Sequence, residues 1–188
     1  MKLFRESRLY IIVLVIALTS WGLAHLYAER NAEMKSADNN IDYFSSGYIK
    51  QQMDKEGLPE NELIATTMRH TKNNGETFLE KPEMSLYNPN EAPWVIQSET
   101  GLLAADGDHL MLNGHTHIAR AASAKSSALT INTSDLRVKL STHYAETEAW
   151  AEIISPPHKT YGTGMQTTFV SPIHLNLLSK VKGRYEFN

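Results

Sequence analysis

Three histidines are the residues of this sequence best suited to chemistry: His109, His115 and His117. On a strand, positions two apart point to the same side, so His115 and His117 would present their imidazoles together. That arrangement can begin a metal site or a hydrolase centre. A catalytic zinc, however, needs a third protein ligand and an open coordination position. The sequence offers no His-Glu-x-x-His and no second His or Asp cluster, and surface histidines on a half-exposed strand are the competing reading. There is no Cys anywhere, which excludes thiolate ligation, thiol catalysis and a disulfide framework. Gly162-Thr163-Gly164 is only a fragment of a phosphate loop. It lacks the Gly-Lys-Ser/Thr continuation and a following helical pattern, so it reads as a strand bend. No Gly-x-Ser-x-Gly occurs, and the acids are scattered. The expectation is a protein with no catalytic residues, no metal and no cofactor, although a spatial triad would leave no local trace.

The elements that would position any site begin with an apolar stretch. Leu9 to Ala28 holds no Lys, Arg, Asp or Glu across 20 residues. As a helix it would be roughly 30 Å long, the thickness of a bilayer core, and a helix satisfies its own backbone in lipid. Trp21 and Tyr27 suit the interfacial belt. Lys2, Arg5 and Arg8 precede the stretch and no basic excess follows it, so the N-terminus (1–8) is expected in the cytoplasm and the rest across the membrane. Gly22 and Ala24 would also fit a signal-peptidase site, and both readings export the remainder. The formal net charge is −3, with +2 carried by the first eight residues, which leaves the exported part near −5. That argues against a nucleic-acid partner, and no phosphate-binding patch stands out.

Residues 29–45 are polar and aperiodic, a tether. From residue 46 to 188 short alternating runs recur between turn signals, the texture of one all-β domain. Tyr48 to Met53, Glu62 to His70, Thr77 to Leu79, Met84 to Tyr87, Trp94 to Ser98, Ala128 to Thr133, Leu136 to Leu140, Ala149 to Ile154, Thr168 to Leu178 and Lys180 to Phe187 are the clearest runs. Asn73-Asn74-Gly75 and Asp106-Gly107-Asp108 are turns. Pro82 cannot donate to a ladder, Gly114 follows the Leu110/Leu112 face, and Tyr161 to Gly164 contains two glycines; each marks a bend. Leu177, Leu178, Val181 and Tyr185 would equally suit a short helix. Strands in unbroken series mean hairpins, hence an antiparallel meander with two free edges unless it closes. Leu63 or Ile64, Leu79, Trp94 or Ile96, Leu110, Leu112, Ile131, Leu175 and Leu177 fall on the inward face, as a packed core or as the lining of an apolar groove.

The order of these features resembles the LptC family, single-span components of the Gram-negative inner membrane that serve lipopolysaccharide export. The residues that carry the resemblance are the basic N-terminus before one apolar span and Glu56-Gly57 ahead of Leu63-Ile64-Ala65. Pro82 after Leu79, Pro93-Trp94, Leu110-Met111-Leu112-Asn113-Gly114-His115, Gly164-Met165 and Val181 through Tyr185-Glu186 complete it. The Ala- and Ser-rich segment 121–128 departs from the pattern. The resemblance implies an open twisted antiparallel β-jellyroll of the OstA-like kind in the periplasm. It implies no enzymatic activity and lipopolysaccharide as ligand, received from the LptB/LptF/LptG ATP-binding cassette transporter and passed to the bridge protein LptA. By position in matching strands it places Tyr48, Leu79, Leu175 and Tyr185 at the groove. Tyr48 and Gly57 fall at the transporter-side edge, and Val181, Tyr185 and Phe187 at the LptA-side edge. A membrane-anchored scaffold without a lipid ligand and a periplasmic hydrolase using the histidines are the alternatives.

Overall fold

The computed structural model describes residues 17–22, 41–89, 91–123, 126–170 and 172–185. The chain divides into two compact units, Met1–Asn40 and Ile41–Asn188. Within the first, residues 17–22 are helical. The rest of the expected span (9–16 and 23–28) and most of the expected tether lie outside the described residues. Among the described residues no helix is long and apolar enough to cross a membrane.

The second unit is one antiparallel sheet. Its strands are β1 (Ile41–Met53), β2 (Pro59–Thr71), β3 (Thr77–Glu80), β4 (Glu83–Leu86), β5 (Trp94–Leu103), β6 (His109–Arg120), β7 (Leu129–Lys139), β8 (Tyr144–Ser155), β9 (His158–Thr168) and β10 (His174–Arg184). Spatial order follows chain order, except that β3 and β4 are two halves of one rung, both seated between β2 and β5. The strands form where β-branched residues alternate with polar ones, as in Leu129-Thr-Ile-Asn-Thr. Asp and Asn side chains close several turns. Asp54 Oδ1 accepts from the N–H groups of Glu56 and Leu58, Asn74 Oδ1 from that of Glu76, and Asp106 Oδ1 from those of Asp108 and His109.

Several expectations change here. The sheet begins at Ile41, so residues 41–45 belong to β1 and not to the tether. The possible C-terminal helix is β10, an edge strand. The run from Thr168 to Leu178 is broken, because β9 ends at Thr168 and β10 starts at His174. The expected bend at Tyr161 to Gly164 falls inside β9, where Gly164 has positive φ.

What bends the sheet is a seam that crosses it from edge to edge. Gly47, Lys81, Gly114, Asp135, Gly164 and Lys180 have positive φ, and each lies in or beside the middle of a rung. Register shifts accompany the seam at Ser98/Thr100, Leu112/His115, Asn132/Arg137, Thr147/Trp150 and Ser179/Lys182. Such bulges insert a residue, kink the strand and reverse which side chains face inward. Gly114 has φ +78°, a conformation that favours glycine, and an added Cβ would also displace the Glu99 carboxylate. On β7 the buried positions accordingly pass from Ile131 and Thr133 to Leu136 and Val138.

Bent along the seam, the sheet encloses one face. Phe169, just past β9, packs on Trp94 at the start of β5 with ring centroids 5.1 Å apart. Asn88 Nδ2 donates to the Phe169 carbonyl at 2.7 Å, and Lys50 Nζ on β1 donates to the Gly107 carbonyl at 3.2 Å. These contacts join strands that are not neighbours in the ladder. Residues from both sides of the seam form a single core, among them Leu63, Met84, Ile118, Met68, Leu136 and Met165.

The seam is directly testable. Gly164 has φ +74°, and an added Cβ would meet Leu178 Cδ1 at 3.0 Å. Gly164→Val is expected to lower unfolding free energy in urea by about 1–3 kcal/mol, since a β-branched residue at positive φ is strained. Thr160→Val, on the same strand, should change it by less than about 0.5 kcal/mol. Equal stability of Gly164→Val and the parent would contradict the seam's role.

Candidate functional site

The inward face carries most of the residues singled out in the sequence. Leu79, Trp94, Ile96, Leu110, Leu112 and Ile131 are all at most 1% exposed and belong to one packed core. Toward the free edges the packing loosens. Tyr48 on β1 and Leu175 and Leu177 on β10 are only partly buried against that core, as are Leu129, Ile153 and Ile173. The apolar interior is thus filled in the middle, and each edge strand adds apolar side chains that are only partly buried against it. Burial raises the Tyr48 hydroxyl pKa above its ordinary value, helped by nearby Tyr43. Tyr185 follows the last residue of β10, is 61% exposed, and rests near Gly183 with its ring 5.5 Å from His158.

The edges are the second feature. β1 and β10 each have one neighbour in the ladder. They are 13 and 11 residues long, well beyond the short blunted edges that soluble proteins favour. They also expose large apolar side chains: Tyr43, Phe44, Ile49 and Met53 on β1, Leu178 and Val181 on β10. Gly57 sits in the β1–β2 turn at φ +81°, its N–H donating to the Asp54 carbonyl at 3.1 Å. Phe187 lies outside the described residues. Long, apolar, unpaired edges can accept added strands through main-chain hydrogen bonds.

The histidines take separate partners. His109 Nδ1 lies 2.7 Å from Asp106 Oδ2. The Asp106 carboxyl is pulled down to about 2, chiefly by the Asp108 N–H and then by His109. His115 and His117 do share the outer face, but His117 Nδ1 is 2.9 Å from Asn132 Oδ1, whose amide donates to Glu152. This continues a polar row that Gln97 and Glu83 begin. Among the described residues no three His, Cys, Asp or Glu side chains group to hold a metal. The arrangement braces strands; it does not converge on a reacting atom.

Two interior polar features escaped the sequence reading. Arg120 is 8% exposed, lies 4.9 Å over the Trp94 ring, and reaches Glu91 at 3.5 Å. It sits in phase with Leu112, Thr116 and Ile118 on β6, so alternation alone marks it as inward. His143, at φ +49° after a short 3-10 turn (Leu140–Thr142), is also buried. No periodic signal points to it, because it lies outside any strand. Among the described residues, Trp94 Nε1, Asn61 Nδ2 and Arg120 Nε have no hydrogen-bond partner.

Burial lowers the His143 pKa, opposed by the charge of Glu60. The unfolded chain therefore binds the proton more readily, and stability must fall as pH drops from about 6.5. His143→Gln is expected to make the stability curve between pH 8 and 5 flatter than the parent's, read by urea unfolding at each pH. Parallel curves would contradict a buried neutral imidazole.

A family model described as "LptC: Lipopolysaccharide-assembly, LptC-related" matches residues 12–186. No curated protein matches the chain.

Proposed function

The chain belongs to the LptC-related lipopolysaccharide-assembly family, and from that premise we propose how it serves lipopolysaccharide transport across the envelope. The protein binds lipopolysaccharide by its acyl chains along the apolar interior, entering at the edge strands β1 and β10. It receives the lipid from the LptB/LptF/LptG transporter and hands it to LptA. The observation that supports this reading is that Tyr48, Leu175 and Leu177, on two unpaired edge strands, are only partly buried against one apolar core.

The physical need is large. Each acyl CH₂ withdrawn from water gains about 0.8 kcal/mol, so a multi-chain lipid cannot cross an aqueous space unaided. An apolar cleft removes that barrier while the sugars stay in water. The Tyr48/Gly57 side of the sheet is the transporter edge, and Val181, Tyr185 and Phe187 mark the LptA edge. Strand addition there would make the interiors of adjoining proteins continuous. The apolar stretch Leu9–Ala28 anchors the protein once in the inner membrane, with its N-terminus cytoplasmic and its sheet periplasmic. Energy enters at the transporter, so this chain works as a carrier and needs no catalytic residue, metal or cofactor.

A membrane-anchored assembly protein without a lipid ligand is the second reading. It is favoured by the close packing of Trp94, Ile96 and Leu112, none of them exposed. Leu177→Asp separates the two, because Leu177 is only partly buried. On the lipid-carrying reading this variant of the full chain retains several-fold less co-purifying lipopolysaccharide, with far-UV circular dichroism unchanged. Equal lipid content in variant and parent favours the scaffold. Removing the last ten residues is expected to weaken LptA capture and spare transporter capture; equal loss of both would contradict an edge role for β10.

A further inference from the structure

On the outer face beside the β10 edge, Trp150, Tyr161, Thr163, Lys180, Val181 and Lys182 line a depression of about 560 Å³. Register assembles it from three strands: Trp150 of β8 lies opposite Thr163 of β9, and Tyr161 of β9 opposite Lys182 of β10. The Trp150 and Tyr161 rings are nearly parallel, 22° apart, with centroids at 6.1 Å. Trp150 is 51% exposed, so this pair is a platform open to solvent and not part of the core. Lys180 is the seam residue of β10, at φ +51°. The bulge it makes brings two lysines two positions apart to the rim of the same depression.

The charge here runs against that of the chain, whose net charge is −3. Among the described residues neither Lys180 nor Lys182 makes an ion pair. Glu152, opposite Tyr161, is already engaged by the Asn132 amide at 3.0 Å and by Lys159 at 3.9 Å. The exposed aromatic platform therefore stands beside uncommitted ammonium groups. The C–H face of a pyranose ring packs flat on such a platform, and ammonium groups take phosphate oxygens by charge-assisted hydrogen bonds.

We propose that this patch is a binding site for a phosphorylated sugar, namely the headgroup of the lipid whose acyl chains lie along the inner side of β10. The inference rests on the lipid-carrying reading above and extends it to the polar part of the ligand. Geometry supports the pairing. Leu177 faces the core, and Lys180 and Lys182 follow three and five residues later on the same strand. At about 3.3 Å per residue Leu177 and the cationic rim are roughly 10–17 Å apart, within the span of one glycolipid headgroup. The β10 edge thus divides the ligand, with chains on the inner side and charged sugar on the outer.

The test uses the full chain in detergent, titrated with three probes: intact lipopolysaccharide, the same lipid dephosphorylated, and the deacylated phosphorylated oligosaccharide. Lys182→Glu is expected to weaken intact lipid about tenfold. Lys182→Arg should restore it, and the dephosphorylated lipid should bind parent and Lys182→Glu alike. Trp150→Ala should weaken the deacylated oligosaccharide. Binding of that oligosaccharide by the parent shows a site for the free glycan phosphate; binding of intact lipid alone shows that the chains must be seated first. Intact lipid bound equally by parent and Lys182→Glu would overturn the inference, as would equal loss for phosphorylated and dephosphorylated lipid. Loss of LptA capture with lipid binding intact would make the patch a protein contact and overturn it too. A parent that binds none of the lipids would refute the lipid-carrying reading itself, which is a different result.

Discussion

A single sheet can bury one of its own faces only if it bends sharply, and in this protein the bend is built from the backbone. The seam through Gly47, Lys81, Gly114, Asp135, Gly164 and Lys180 gives nearly every rung a positive-φ residue or a register shift at the same level. Everything else depends on it. It lets Phe169 reach Trp94 across the interior, and it puts Leu63 and Leu136 in one core. It also leaves β1 and β10 unpaired, because a sheet that folds over along a line need not close into a barrel. The enclosed apolar space and the free edges are two outcomes of the same geometry.

Much of this was legible in the chain, and the seam explains what was not. Pro82, Gly114 and the Gly162/Gly164 stretch were read as bends, and all three lie at the seam. Glycine and proline announce backbone departures. Lys81, Asp135 and Lys180 adopt positive φ without any such residue type, so nothing in the sequence marks them. At Asp135 the inward face of β7 reverses, so strict alternation carried past it assigns facing wrongly. β10 also offered helical spacing in Leu177, Leu178, Val181 and Tyr185. As an edge strand that is largely exposed it carries no clean period of either kind. Ile41 to Ser45 looked like tether because β1 is exposed along most of its length and lacks the apolar alternation of a half-buried strand.

The site was legible in part for the same reason. Leu79, Trp94, Ile96, Leu110, Leu112 and Ile131 were placed inward by alternation between bends, where period two holds, and all six are buried. Buried Arg120 was equally readable from its phase on β6. The Trp150, Tyr161, Lys180 and Lys182 patch could not be read, since it needs three strands brought into register across bulges. Composition alone pointed the other way, as the net charge is negative. Family membership places the chain in lipopolysaccharide transport; on the proposed reading, the β10 edge is where an amphiphile divides between an apolar interior and water.

That division is tested by a probe on the inner side of β10 and a control on an exposed strand away from that edge. Leu177 packs against the core, whereas Met111 on β6 is 40% exposed. A photoreactive residue would be placed at each position in turn, in the full chain in the cell envelope, and adducts scored for lipopolysaccharide. An adduct from Leu177 with none from Met111 is the expected result. Adducts from Met111 alone, or from neither site in a folded, membrane-bound protein, would contradict it.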